Sequence, residues 1–215
     1  MRRSIVVLLF VLFLPCGCTH VTDYVSIARQ KGGLSETYLK ALEGWTRSQT
    51  VYSEFETKVK IAATWKSAAF NGAYLEEYAR IYNLRQEERK VRENVQADLA
   101  GDFTEFFFYA YTPEKSENDF DKPRSIWTVF LKDGKGNRID PVEIRRIEKV
   151  TPLIEVFYPY VNQYYGNCYS LKFRGLRGVG SGDERGLLPV TLVFTGVVGR
   201  VELKWGSRDS SACAS

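Results

Sequence analysis

The chain reads as an α+β protein, mainly β: an antiparallel β-sandwich that carries one long helix and is preceded by an N-terminal helical segment. Three observations predict this. Residues 53–61 alternate strictly between apolar and polar, residues 67–99 carry apolar side chains at helical spacing, and from Gly101 onward short apolar runs are separated by turn residues.

Taken in order, residues 1–17 read as a signal peptide and 18–48 as a tether ending in a short helix. Residues 49–207 read as one globular β-sandwich domain with a helix over about 67–100, and 208–215 as a flexible tail. The tether is expected because Gly32, Gly33 and scattered polar residues show no sustained periodicity. The short helix is placed over Ser35 to Trp45. In the first strand Phe55, Thr57, Val59 and Ile61 share one face, and Glu54, Glu56, Lys58 and Lys60 the other. The long helix follows from Tyr74, Tyr78, Ile81, Tyr82, Val91, Val95 and Leu99 on one stripe, with Gly101 as a stop.

Phe103 to Tyr111 is aromatic or apolar almost throughout, which predicts a strand covered on both faces. Ile126 to Leu131 and the chain from Arg138 flank Asp133-Gly134-Lys135-Gly136-Asn137, a hairpin with strong turn chemistry. Further strands are expected near Val142–Ile147, Tyr169–Phe173, Val190–Thr195 and Arg200–Trp205, with Gly196 and Gly199 turning the last pair. About seven short strands separated by turns is the count of an immunoglobulin-like or related sandwich. No repeat of fixed period occurs.

The N-terminus is more specific. Arg2 and Arg3 precede an apolar run from Ile5 to Leu14, and Pro15-Cys16-Gly17-Cys18 forms a compact processing site. The run is about half of the roughly 20 residues a helix needs to cross a hydrocarbon core. Gly17-Cys18-Thr19 resembles the bacterial lipoprotein signal, with Pro15 where that signal has an aliphatic residue. The resemblance implies cleavage before Cys18 and acylation of Cys18, palmitate among the chains, and hence anchoring in a membrane of the cell envelope. With Thr19 after the cysteine, it implies the periplasmic face of the outer membrane in a Gram-negative host.

At 44% hydrophobic and 26% charged, the composition excludes disorder over most of the length. Loss of Arg2 and Arg3 with the signal lowers the formal charge from +4 to +2, too little for a nucleic-acid footprint. His20 is the one histidine, two residues past the expected anchor, so Ser-His-Asp and Cys-His mechanisms lack a base and histidine-built zinc sites lack ligands. The sequence implies no catalytic residues, no metal site and no cofactor. Cys168 and Cys213 remain in an oxidising compartment, either bridged or with Cys168 as a buried thiol.

Two loops invite a metal or phosphate reading. Asp133 to Ile144 has Lys135, Arg138 and Ile144 where a calcium-binding EF-hand needs an oxygen donor, glycine and glutamate. Gly175 to Gly186 lacks both phosphate-loop spacings. The acidic run Glu114, Glu117, Asp119 and Asp121 reads as a solvated loop.

The aromatic segment around Phe157 is the strongest binding candidate, with Tyr158, Tyr160, Tyr164 and Tyr165 as an interaction surface or as an internal plug. The expected function is a membrane-anchored envelope lipoprotein acting as a non-catalytic protein-interaction or assembly module, with an envelope protein as partner. The first alternative is a carrier holding an amphiphile between the helix and the sheet. The second is a cell-wall hydrolase using paired carboxylates such as Glu76 and Glu77.

Overall fold

A computed structural model of the protein describes residues 22–174 and 189–206. The fold is mixed α+β, with five α-helices and nine strands among the described residues, the strands forming two antiparallel sheets.

Helix α1 spans Thr22–Lys31 and α2 Glu36–Trp45. Ser35 caps α2, its hydroxyl accepting from the Tyr38 amide at 3.2 Å, and the i, i+1, i+4, i+7 stripe Tyr38, Leu39, Leu42 and Trp45 is buried. Strand β1 (Thr46–Ser53) follows directly and pairs with β2 (Glu56–Trp65). Helix α3 (Ala68–Tyr82) starts at Ser67, whose hydroxyl accepts from the Phe70 amide, and stops at Asn83, which is left-handed with φ 49°. Helix α4 (Gln86–Asp102) begins where Glu88 accepts from the Arg85 amide, and leads into β3 (Phe103–Tyr111). Then come β4 (Trp127–Lys132), β5 (Arg138–Ile139), β6 (Glu143–Arg146), α5 (Pro152–Phe157), β7 (Asn167–Arg174), β8 (Val190–Gly196) and β9 (Gly199–Trp205).

One sheet has the order β1-β2-β3-β7-β6 and the other β5-β4-β8-β9. They pack face to face, in a sandwich-like arrangement, through aromatic contacts. Phe108 on β3 meets Phe194 on β8 edge-on at 5.1 Å between centroids, and Trp205 on β9 lies 5.3 Å from Phe106 and 6.2 Å from Trp65. The edges β1 and β9 are joined by side chains. Arg47 Nε donates to the Lys204 carbonyl at 3.1 Å, Gln49 Oε1 accepts from the Glu202 amide at 2.9 Å, and Trp205 Nε1 donates to the Trp45 carbonyl at 3.0 Å. Such bonds occupy edge groups that would otherwise template aggregation.

Helices cover the outer face of the five-stranded sheet. Phe107, the β3 neighbour of the inward Phe106 and Phe108, stacks on Tyr158 at 4.2 Å. β3 therefore has protein on both sides, which explains its unbroken apolar sequence.

Three expectations change. The helix over 67–100 is two helices, because Asn83 adopts the left-handed conformation and the Leu84 amide returns to the Ala79 carbonyl at 3.0 Å. Ahead of the expected short helix, the expected tether holds a further helix over Thr22–Lys31 that contributes Val25 and Ala28 to the core, and from Thr46 the chain already belongs to β1. The strand count among the described residues is nine where about seven were expected, and helices are layered on one sheet. Among the described residues, no helix is long and apolar enough to cross a membrane. Residues 1–17 and 208–215, expected as signal peptide and tail, lie outside the described residues.

Candidate binding cleft between α1 and α5

Helix α1 buries Val25 and Ala28 and leaves Ile27 half-exposed at its rim. Helix α5 owes its start to Thr151, whose hydroxyl accepts from the Ile154 amide at 3.4 Å, and to Pro152 at its first position. It buries Phe157, whose carbonyl accepts from the Tyr38 hydroxyl at 2.8 Å, and turns Val156 outward. Between them lies a cleft of about 500 Å³, within the range of sites that take a small ligand or a partner's side chains. Its walls include Ile27, Pro152, Val156 and Val161, and Lys31, Glu155 and Asn162 supply polar groups.

Tyr164 completes the rim. Asn162 Oδ1 accepts from its amide at 3.1 Å, and the Asn162 carbonyl accepts from the Tyr165 and Gly166 amides, both at 3.2 Å. A Cβ at Gly166 would collide with the Ala110 carbonyl and the Tyr109 ring, so the loop lies against the sheet with no room for a side chain there. The pinned loop presents Tyr164 and Tyr165 to solvent, 78% and 65% exposed. A second cleft of about 360 Å³ shares Pro159, Val161 and Asn162 and is lined also by Tyr24, Lys60, Tyr111 and Tyr165.

The expected tyrosine surface therefore divides. Tyr158 and Tyr160 are interior: Tyr158 stacks on Phe107, and Tyr160 shares a hydrogen bond of 2.6 Å with Thr64, which is bonded in turn to Thr46 at 2.7 Å. Burial pushes both phenols well above their ordinary values. Only Tyr164 and Tyr165 face solvent. Phe157, Tyr158 and Tyr160 belong to the core between helices and sheet.

Cys168 lies on β7, fully buried, and burial pushes its thiol up to about 12. Its proposed partner Cys213, the lipidation candidate Cys18, His20 and the glycine-rich run 175–186 lie outside the described residues. Glu76 pairs with Arg89, while Glu77 is buried and tied to Arg80 and the Ser35 amide. In the Asp133 hairpin the carboxylate accepts from the Lys135 and Asn137 amides at 2.9 and 2.8 Å, which uses it as a turn cap. In the acidic loop the Asp119 carboxylate accepts from Ser125 Oγ at 2.8 Å and from the Ile126 amide. Among the described residues no three His, Cys, Asp or Glu side chains gather as a metal site.

Ile27 and Val156 escape a sequence reading because α1 looks like tether and α5 is six residues long. Thr151-Pro152, a cap followed by proline at the first helical position, was the available signal. In comparison with known proteins, no family, no curated protein and no solved structure matches the chain.

Proposed function

We propose that this protein is a lipid-anchored, non-catalytic binding module of the bacterial cell envelope, held through Cys18 and engaging a protein partner at the cleft between α1 and α5. In a Gram-negative host its place is the periplasmic face of the outer membrane. The observation that carries the partner site is the exposed apolar rim of Ile27, Val156 and Tyr164 around a cleft of about 500 Å³. Apolar centres rimmed by polar groups suit protein interfaces, and a rigidly presented tyrosine is a typical anchor residue. Confining both partners to one membrane raises their effective concentration, so a modest contact area suffices.

The test compares cross-linked pull-downs from native membranes using the full chain and its Ile27→Glu and Val156→Glu variants. One envelope protein should be enriched by the wild type and lost with either variant. Recovery of abundant bystanders alone counts against a binding module, and recovery of the same partner by all three proteins moves the site away from this cleft.

A further inference from the structure

Among the described residues, the three most exposed large apolar side chains apart from the Tyr164–Tyr165 rim sit together at one end of the two-sheet body. The β1–β2 turn is the residue pair Glu54-Phe55 between the last paired residues Ser53 and Glu56, and it leaves Phe55 fully exposed and Tyr52 66% exposed. The β8–β9 turn is Val197-Val198 between Gly196 and Gly199, with Val197 90% exposed. The two turns are neighbours. Arg47 and Gln49 bond to β9 at Lys204 and Glu202, and Val51 lies 3.1 Å from the point a Cβ on Gly199 would occupy. β1 therefore runs antiparallel to β9 and both hairpin tips emerge at the same end.

The start of α1 lies beside the middle of β2. In the first turn of α1 the Tyr24 hydroxyl accepts from Lys60 Nζ, and Lys60 sits opposite Thr50, three residues before β1 finishes. From Lys60 back to Phe55 the five residues span about 17 Å. From Cys18 to Thr22 four residues reach at most about 14 Å. A lipid on Cys18 would hold the start of α1 on a leash comparable with the span from Lys60 to Phe55, so the tips reach the bilayer when the body stands on them.

Beside the tips Lys58 pairs with Glu56 at 3.0 Å and Arg200 with Glu202 at 2.6 Å, and Glu54, next to Phe55 in the β1–β2 turn, adds one exposed carboxylate. Apolar tips with a tyrosine behind them match the water-to-acyl gradient of a membrane interface, where tyrosine rings and charged groups sit at headgroup level. We infer that Phe55 and Val197 insert into the bilayer interface beside the anchor, with Tyr52 at the headgroups, so that the body is docked in one orientation. This rests on the anchoring proposed above.

The test places the full chain on phosphatidylcholine vesicles containing a photoactivatable phosphatidylcholine and maps the lipid adducts by peptide. Adducts should concentrate on the peptides holding Tyr52–Phe55 and Val197 and be lost from them in the Phe55→Ser/Val197→Ser variant. Both sites are on exposed turns, so the variant folds. A wild type that is membrane-bound through Cys18 but carries adducts elsewhere, or evenly, overturns the inference and leaves the anchor standing. If the Cys18→Ser variant binds as well as the wild type and both are labelled at the tips, the inference stands and the anchor falls. Absence of vesicle binding overturns both. In native membranes, protein cross-links at Phe55 or Val197 without lipid adducts would assign the tips to a protein partner and also overturn the inference.

Discussion

Glu77 Oε1 accepts from the Ser35 amide at 2.8 Å, joining residues 42 positions apart and fixing the start of α2 against α3. The same carboxylate takes two bonds from Arg80, at 2.6 and 3.1 Å, and Ser35 caps α2 with its hydroxyl. Burial alone would raise the Glu77 carboxyl, but the bonds from Arg80 and Ser35 outweigh it and hold the group below its ordinary value of 4.5. Glu77→Gln removes the charge from both contacts and should cost about 2 kcal/mol at neutral pH, the scale of hydrogen bonds to a charged group. Because the folded-state value is depressed, this stability is present above 4.5 and lost as pH falls through the folded value. Urea unfolding midpoints of wild type and variant should converge on acidification; a gap that does not change with pH would contradict the assignment.

Thr64 links the sheet to the layer above it, bonded to both Thr46 and Tyr160. Thr64→Val is nearly isosteric and strands two buried hydroxyls, so a loss of about 2 kcal/mol is expected in thermal or denaturant unfolding. Tyr160→Phe should cost less, and the pair should be non-additive because they share one bond.

Asn83 separates α3 from α4 through its left-handed backbone. Asn83→Val should destabilise by about 1–2 kcal/mol, since a β-branched residue is strained there. Asn83→Gly should fold at least as well. Circular dichroism with urea titration checks both, and a harmless valine would mean that the two helices run on as one.

Cys168 is enclosed beneath the helical layer with its thiol raised by burial. In the folded protein it should resist iodoacetamide at mildly alkaline pH. In denaturant it should react at once if free, and only after reduction if bridged to Cys213. Mass spectrometry of the Cys168 peptide reads all three conditions, and rapid labelling of the native protein would contradict its burial.

Local chemistry made much of the fold legible. Phe103–Tyr111 is the expected strand, residue for residue, and the later strands lie within one or two positions of the expected runs. Alternation located β2 through Val59 and Ile61, but Phe55, first in that pattern, belongs to the turn and points into solvent. β1 escaped because Thr-Arg-Ser-Gln-Thr carries almost no apolar signal: it is an edge strand whose side chains reach across to β9. The 67–100 stripe could not reveal its own break, since Asn83 looks unexceptional until its φ is known.

The candidate site was less legible. Tyr158, Tyr160, Tyr164 and Tyr165 are the same residue type within eight positions, yet two are interior and two on the surface. What separates them is the fold of α5 over Phe107 and the Asn162 turn, both of which depend on contacts with β3. Ile27 became visible as a rim residue only once α1 was placed beside α5.

The most direct test of the central claim is membrane fractionation of the full chain against Cys18→Ser after a high-salt, alkaline wash, with metabolic palmitate labelling. The wild type should stay with the membranes and carry the label, and Cys18→Ser should appear in the soluble fraction without it. Equal retention of both proteins, with no label on the wild type, would contradict a lipid-anchored module.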